Sequence, residues 1–150
     1  MSLGLYLHIP YCFSKCRYCD FYSAPGQRGV PRAYVDALLR ELSRFAPDAP
    51  LRPDTLYFGG GTPSLLDPAD AARLIAAAQP LPKAEITLEA NPETVTEDSL
   101  RAFREAGVNR ISFGVQSARD SQLKTLGRPH TAKQARAAFA AARRAGFENI

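Results

Sequence analysis

Strand-like and helix-like segments alternate along almost the whole chain, and this alternation restricts its possible folds more than any other feature. Short apolar runs indicate buried strands, and apolar residues spaced three and four apart indicate amphipathic helices. The predicted strands are 3–9, 54–61 (ending in a glycine turn), 84–92 and 109–117, with a fifth beginning at 147–150; the predicted helices are 31–47, 68–79, 96–107, a short one at 118–127, and 131–146. The order β-loop-α, repeated four times, predicts an α/β fold with a parallel sheet and right-handed crossovers. A doubly wound sheet and a (βα) barrel both fit this order.

The segments suited to chemistry all follow predicted strands. Three cysteines follow the first strand, "GGGTP" (59–63) the second, "EANP" (89–92) the third and "GVQS" (114–117) the fourth. In either α/β architecture ligands bind at the carboxyl ends of the strands. The sequence therefore predicts one functional site at that edge of the sheet.

Charge and apolar content exclude several classes of protein. The net charge is +4, from 19 basic and 15 acidic residues, and the arginines are spread over the predicted helices, so we expect no nucleic-acid interface. The opening "MSLGLYLHIP" lacks the features of a signal peptide, and no apolar run approaches the roughly 20 residues of a membrane span. We expect a cytoplasmic protein with no transmembrane segment and with reduced thiols. Because the chain stops as a fifth strand begins, we expect residues 1–150 to form one domain cut from a longer protein.

Cys12, Cys16 and Cys19 are the chain's three cysteines and follow the pattern C-x3-C-x2-C. Thiolates so close in sequence can surround one metal centre. A structural zinc ion normally takes four ligands, and His8 is a possible fourth, although Pro10 restrains the chain after it. A [4Fe–4S] cluster usually takes four thiolates. Three thiolates would leave one iron with an open position for a substrate or cofactor.

The cysteine pattern, with the aromatic Tyr18 just before the last cysteine, resembles the signature of the radical S-adenosylmethionine (SAM) superfamily. The resemblance implies a partial (βα)6 TIM-like barrel with the cysteine loop after strand 1. It implies that Cys12, Cys16 and Cys19 hold a [4Fe–4S] cluster whose fourth iron is chelated by the amino and carboxylate groups of SAM. In that superfamily one electron from the cluster cleaves SAM to methionine and a 5′-deoxyadenosyl radical.

The same resemblance implies a SAM site at the other strand ends. Glu89 ends an apolar strand, where an unpaired carboxylate is costly, and the resemblance makes it a cofactor ligand. Arg128 is expected to pair with a carboxylate such as that of SAM. The other SAM contacts implied are Gly60, Gly61 and Thr62 near the methionyl amino group, Gln116 near the ribose or adenine, and the tyrosines Tyr6 and Tyr18.

Five segments together resemble the oxygen-independent coproporphyrinogen III oxidase group: "LYLHIPYC", "LYFGGGTPSLL", "EANPET", "ISFGVQS" and "LGRPH". The oxidase itself carries an extra N-terminal segment and a further cysteine two positions after the third cluster ligand, where this chain has Phe21. The chain is therefore more similar to the HemW-type heme chaperones of that group. This implies heme as bound cargo, with heme-acceptor proteins and an electron donor as partners.

The alternative is the oxidase, which decarboxylates the propionates of coproporphyrinogen III by means of the deoxyadenosyl radical, so whether the chain is an enzyme stays open. The two histidines do not mark a heme site in the sequence. We expect His8 to be structural and His130 to cap the helix that follows it.

Overall fold

The computed structural model describes residues 2–45 and 49–150, where the four predicted strands form one parallel sheet. The strands, in chain order and side by side, are β1 (Gly4–Ile9), β2 (Thr55–Gly60), β3 (Glu85–Ala90) and β4 (Arg110–Phe113). A doubly wound sheet reverses its strand order midway, whereas a barrel adds each strand beside the last. The strand order β1-β2-β3-β4 is therefore that of a barrel and not that of a doubly wound sheet. Where a fifth strand was predicted, Asn149 forms a single parallel bridge with Arg110.

Among the residues that the structure describes, five α-helices connect and follow the strands, close to the predicted positions. They are α1 (Arg32–Phe45), α2 (Pro68–Ala78), α3 (Glu97–Glu105), α4 (Asp120–Leu126) and α5 (Ala132–Arg144). The last two residues of the first predicted helix, 46–47, lie outside the described residues. The prediction that His130 caps α5 is wrong, because the Thr131 side chain accepts the hydrogen bond from the backbone N–H of Gln134. Within the described ranges, every helix is too short or too polar to cross a bilayer.

The two faces of the sheet differ in character. On one face, alternate apolar residues are buried against the helices, which contact one another in the order α1, α2, α3 and α5. The buried strand residues of this face are Leu7, Ile9, Leu56, Phe58, Ile86, Leu88, Ala90 and Ile111. The alternate positions point to the other face and are polar or aromatic, among them Tyr6, His8, Tyr57, Thr87, Glu89 and Ser112. This second face corresponds to the inside of a barrel wall, and we call it the inner face.

Two strand ends differ from the prediction, and both differences shape the edge of the sheet. β2 continues through Gly59 and Gly60, which pair with His8 and Ile9, so the glycine turn begins only at Gly61. β4 ends at Phe113, because the next residues curl in two tight turns, Val115 N–H to Phe113 O and Ser117 N–H to Val115 O. The residues 114–117 are therefore loop rather than strand.

Candidate functional site

A cavity of about 380 Å³ lies at the carboxyl edge of the sheet, where the chemically suited segments were predicted to meet. The cysteine loop closes one side, and the ends of β2, β3 and β4 form the other. Ten of the eleven residues proposed from the sequence line it: Cys12, Cys16, Tyr18, Cys19, Gly60, Gly61, Thr62, Glu89, Gln116 and Arg128. Tyr6 is the exception.

The cysteine loop is held in place by its own backbone and by a distant helix. Cys12 N–H donates to Ala24 O at 3.0 Å, and Cys12 O accepts from Gln27 N–H at 3.0 Å, so the chain returns alongside its first cysteine. The middle of the loop is tied to the end of α4, because Arg17 N–H donates to Leu126 O at 3.2 Å. These backbone hydrogen bonds therefore fix the loop against the rest of the fold.

All three cysteines are free thiols, and they differ in exposure. Cys12 is buried, whereas Cys16 and Cys19 are half-buried and face the cavity. Among residues 2–45 and 49–150, no group of three His, Cys, Asp or Glu side chains converges closely enough to hold one metal ion. A single tetrahedral zinc ion, with Zn–S bonds of about 2.3 Å, would require such convergence. His8 does not supply a fourth ligand, since its Nε2 and Nδ1 contact Tyr22 O and the Tyr6 hydroxyl.

The turn after β2 packs directly against the first cysteine. A β-carbon on Gly61 would lie 2.9 Å from Cys12 Sγ and 2.7 Å from Tyr11 O, so only glycine fits there. The N–H groups of Gly60, Gly61 and Thr62 donate to Glu89 Oε2, Ile9 O and Tyr11 O. These three backbone donors are therefore all used within the protein.

The Glu89 carboxylate is paired on the inner face of the sheet. Its Oε1 accepts from the Tyr57 hydroxyl at 2.8 Å and its Oε2 from Gly60 N–H at 3.2 Å. Burial, followed by the hydrogen bond to Glu89, raises the pKa of Tyr57 from 10.0 to about 12. The proton therefore stays on Tyr57, which is a neutral hydrogen-bond donor to Glu89.

Arg128 connects four segments that are far apart in sequence. Its Nη1 donates to Cys16 Sγ at 3.2 Å, and its Nη2 donates to Asn91 Oδ1 and Gly114 O, both at 2.6 Å. Its Nε is buried and has no hydrogen-bond partner within the described residues. A buried N–H without an acceptor is costly, so this nitrogen is suited to an acceptor that a ligand brings.

Three other proposed residues occupy distinct positions. Gln116 lines the cavity with a left-handed backbone, φ 67°, which is uncommon for a residue other than glycine. Tyr18 is half-exposed at the cavity, where burial raises its pKa and Arg128 partly opposes that rise. Tyr6 lies outside the cavity on the inner face, stacked on Tyr57 with ring centroids 6.0 Å apart.

The two histidines have structural partners. His130 is 2% exposed, and its Nδ1 and Nε2 lie 3.1 Å from Glu93 Oε2 and Val115 O. It ties the loop that carries Arg128 to the segment after β3. His8 bridges Tyr6 and the backbone of Tyr22 on the inner face, which agrees with the structural role expected from the sequence.

The sequence interpretation missed several cavity residues, of which Asn91 has the most contacts. Asn91 lies between Thr62 and Arg128, and Ser112 and Lys15 also line the cavity. A signal for Asn91 existed, because it follows Glu89 by two positions and strand periodicity places both on the same face. No local signal marks Lys15, whose ammonium donates to Phe21 O and Ser23 Oγ.

Known proteins match the chain over almost its whole length. The sequence model of the Radical SAM superfamily matches residues 6–150. The chain is 47% identical over 142 residues to the heme chaperone HemW of Escherichia coli (strain K12), which covers 91% of this chain and 38% of that protein. It is 41% identical over 151 residues to the mitochondrial radical S-adenosyl methionine domain-containing protein 1 of Bos taurus, covering 94% of this chain and 33% of that protein.

A solved structure confirms the barrel type of the fold. The coproporphyrinogen III oxidase (HemN) from Escherichia coli, described as a radical SAM enzyme, superimposes with a TM-score of 0.86 at 32% identity. The match covers 98% of this chain and 35% of that one. The chain thus spans 33–38% of the length of these three relatives.

Proposed function

The chain belongs to the radical SAM superfamily, and on that premise we propose that it is the cluster- and SAM-binding part of a heme chaperone of the HemW type. The proposal has three parts: a [4Fe–4S] cluster on the cysteine loop, SAM in the adjoining cavity, and heme as the cargo of the complete protein. The first two parts are supported by residues of the cavity, and the third by similarity to HemW proteins.

The donor set fits a cluster with one open iron. Three thiols line one cavity without converging on a single point, and in a cluster each thiolate binds its own iron atom. We assign Cys12, Cys16 and Cys19 as the three ligands. When bound and reduced, such a cluster supplies single electrons for cleaving SAM.

The cavity beside the cysteines has groups complementary to SAM. The orphan Nε of Arg128 and its guanidinium charge suit a carboxylate, and the carbonyl oxygens of Gly60 and Gly61 suit an ammonium donor. Glu89 offers an anion near the same turn, 3.2 Å from Gly60 N. We assign Thr62, Gln116 and Tyr18 to the same ligand because they line the same cavity, and Tyr6 by family resemblance alone.

The observation that carries the chaperone assignment is the similarity to HemW proteins over almost the whole chain, 47% in Escherichia coli and 38% over 99% of the chain in Haemophilus influenzae. The cysteine loop supports it. Phe21, at the position of the further cysteine that the oxidase carries, is 68% exposed beside the cavity. This chain therefore has no thiol at that position.

The proposed partners follow from this assignment. They are heme, an acceptor protein that receives it and an electron donor for the cluster. We place the protein in the cytoplasm, where a reducing environment keeps three closely spaced thiols from forming disulfides.

A paired experiment on the full-length protein tests the proposal. The cluster is reconstituted anaerobically, and one sample is titrated with heme while another is incubated with SAM, a reductant and coproporphyrinogen III. We expect stoichiometric heme binding and no protoporphyrinogen IX. Turnover to protoporphyrinogen IX would instead establish the oxidase, the second candidate, which the 0.86 TM-score to HemN keeps in consideration.

A further inference from the structure

A continuous chain of hydrogen bonds links two of the three cysteines through Asn91. Starting at Cys16, it runs from Sγ to Arg128 Nη1 (3.2 Å) and from Arg128 Nη2 to Asn91 Oδ1 (2.6 Å). It continues from Asn91 Nδ2 to Thr62 Oγ1 (3.1 Å) and from Thr62 Oγ1 to Cys12 Sγ (3.6 Å). Four segments of the chain, including the ends of β2 and β3, meet in this network.

The chemistry of the two ends, a guanidinium and a thiolate, sets the direction of each hydrogen bond in the network. A guanidinium group only donates, so the Asn91 atom that faces it must be the carbonyl oxygen. The Asn91 amide nitrogen then faces Thr62 and donates to its hydroxyl oxygen. The Thr62 hydroxyl hydrogen is directed to the Cys12 sulfur, because a cluster-bound thiolate has no hydrogen and can only accept.

We propose that Asn91 is a positioning residue that directs hydrogen bonds from Thr62 to Cys12 and from Arg128 to Cys16, and so raises the reduction potential of the cluster these thiolates bind. The inference rests on the proposed cluster. Reduction adds negative charge that spreads onto the cysteine sulfurs, and hydrogen bonds to those sulfurs stabilise it. Thr62 and Cys12 are buried, and a hydrogen bond is electrostatically stronger in such surroundings than at an exposed surface.

The position has little room for another arrangement. A β-carbon on Gly114 would lie 2.8 Å from Asn91 Oδ1 and 3.2 Å from Arg128 Nη2, so the loop backbone directly after β4 closes over this pair. Arg128 Nη2 also donates to Gly114 O, which holds the guanidinium in place beside Asn91. Asn91 thus contacts neither sulfur itself, and its influence on the cluster passes through the two donors that it positions, Thr62 and Arg128.

The test is an EPR-monitored redox titration of the reconstituted full-length protein without SAM, which removes any effect on SAM affinity. Asn91→Ala and Thr62→Val should both shift the potential to more negative values while keeping iron and sulfide content. We expect a shift on the order of tenfold in the reduction equilibrium, about 59 mV for a one-electron couple. The double variant should shift by less than the sum, because Asn91 acts on Cys12 through Thr62.

Asn109→Ala is the matched control. Asn109 is a partly buried asparagine at the opposite end of the sheet, bonded to Ile86 N–H and Ala84 O at 2.8 Å, and its loss should leave the potential unchanged. An Asn91→Ala protein with wild-type cluster content and wild-type potential overturns the inference and leaves the cluster assignment standing. If the Asn91→Ala protein does not assemble the cluster, Asn91→Ser and Thr62→Val take its place in the titration. A wild-type reduction potential in both of these variants then overturns the inference. A wild-type protein without a cluster overturns the proposed function itself.

Discussion

Gly61→Ala tests how tightly the turn after β2 supports the cysteine loop. The added β-carbon would lie 2.7 Å from Tyr11 O and 2.9 Å from Cys12 Sγ, whereas ordinary contacts begin at 3.4 Å. The backbone at Tyr11 must therefore retreat by about 0.7 Å in a close-packed region. Overpacking of this kind costs about 1–3 kcal/mol. Because the displaced atoms include the Cys12 sulfur, we expect lower cluster content as well as lower stability.

The assay for this prediction is iron and acid-labile sulfide per chain after anaerobic reconstitution, together with urea unfolding. Gly29→Ala is the matched control, since it adds the same methyl group to a glycine whose nearest contact would be Leu65 O at 4.0 Å. We expect the control to reconstitute like wild type. A Gly61→Ala protein with wild-type iron content and unfolding midpoint would refute the argument that this glycine is required by the cysteine loop.

Three further predictions follow from other contacts. Cys16→Ala should lower iron and sulfide to background, because only two thiolates remain, and a retained cluster would contradict the ligand assignment. Glu89→Gln should lower the pKa of Tyr57 from about 12, measured by absorbance at 295 nm, without returning it to 10.0, because burial is the larger cause. Because its pKa is raised in the folded state, Tyr57 contributes stability that is complete below pH 10 and is lost as the pH rises through 12. An alkaline unfolding midpoint that Glu89→Gln leaves unchanged would contradict the contribution of Glu89 to the Tyr57 pKa. Thr131→Ala should cost about 1 kcal/mol in urea unfolding, because Thr131 caps α5; an unchanged midpoint would mean that the cap contributes nothing.

The helices and strands were predictable because each is marked by the spacing of apolar residues within its own segment. Apolar periodicity marked each strand and helix, and the rule that parallel strands meet at their carboxyl ends placed the cysteines, the glycine turn and Glu89 at one site. The choice between a doubly wound sheet and a barrel was not local, since both have the same order of elements. It was decided by the sequential pairing of β1 to β4.

Most details of the site depend on contacts between distant segments, which local patterns do not contain. Arg128 and Cys16 are 112 positions apart, and no local pattern indicates that this guanidinium donates to that sulfur. The cap of α5 was assigned to His130 rather than to Thr131, because the burial of His130 against Glu93 arises only in the folded chain. Asn91 was missed for a different reason, since its position beside Glu89 was visible but its partners were not.

The central claim is that three thiolates hold a cluster with one iron open to SAM. The most direct measurement is the EPR spectrum of the reconstituted, dithionite-reduced full-length protein, recorded before and after SAM is added. We predict the signal of a reduced [4Fe–4S] cluster whose g values change on addition of SAM, because SAM occupies the open iron. A cluster signal that SAM leaves unchanged, or a protein that binds zinc and shows no iron–sulfur signal, would contradict the account.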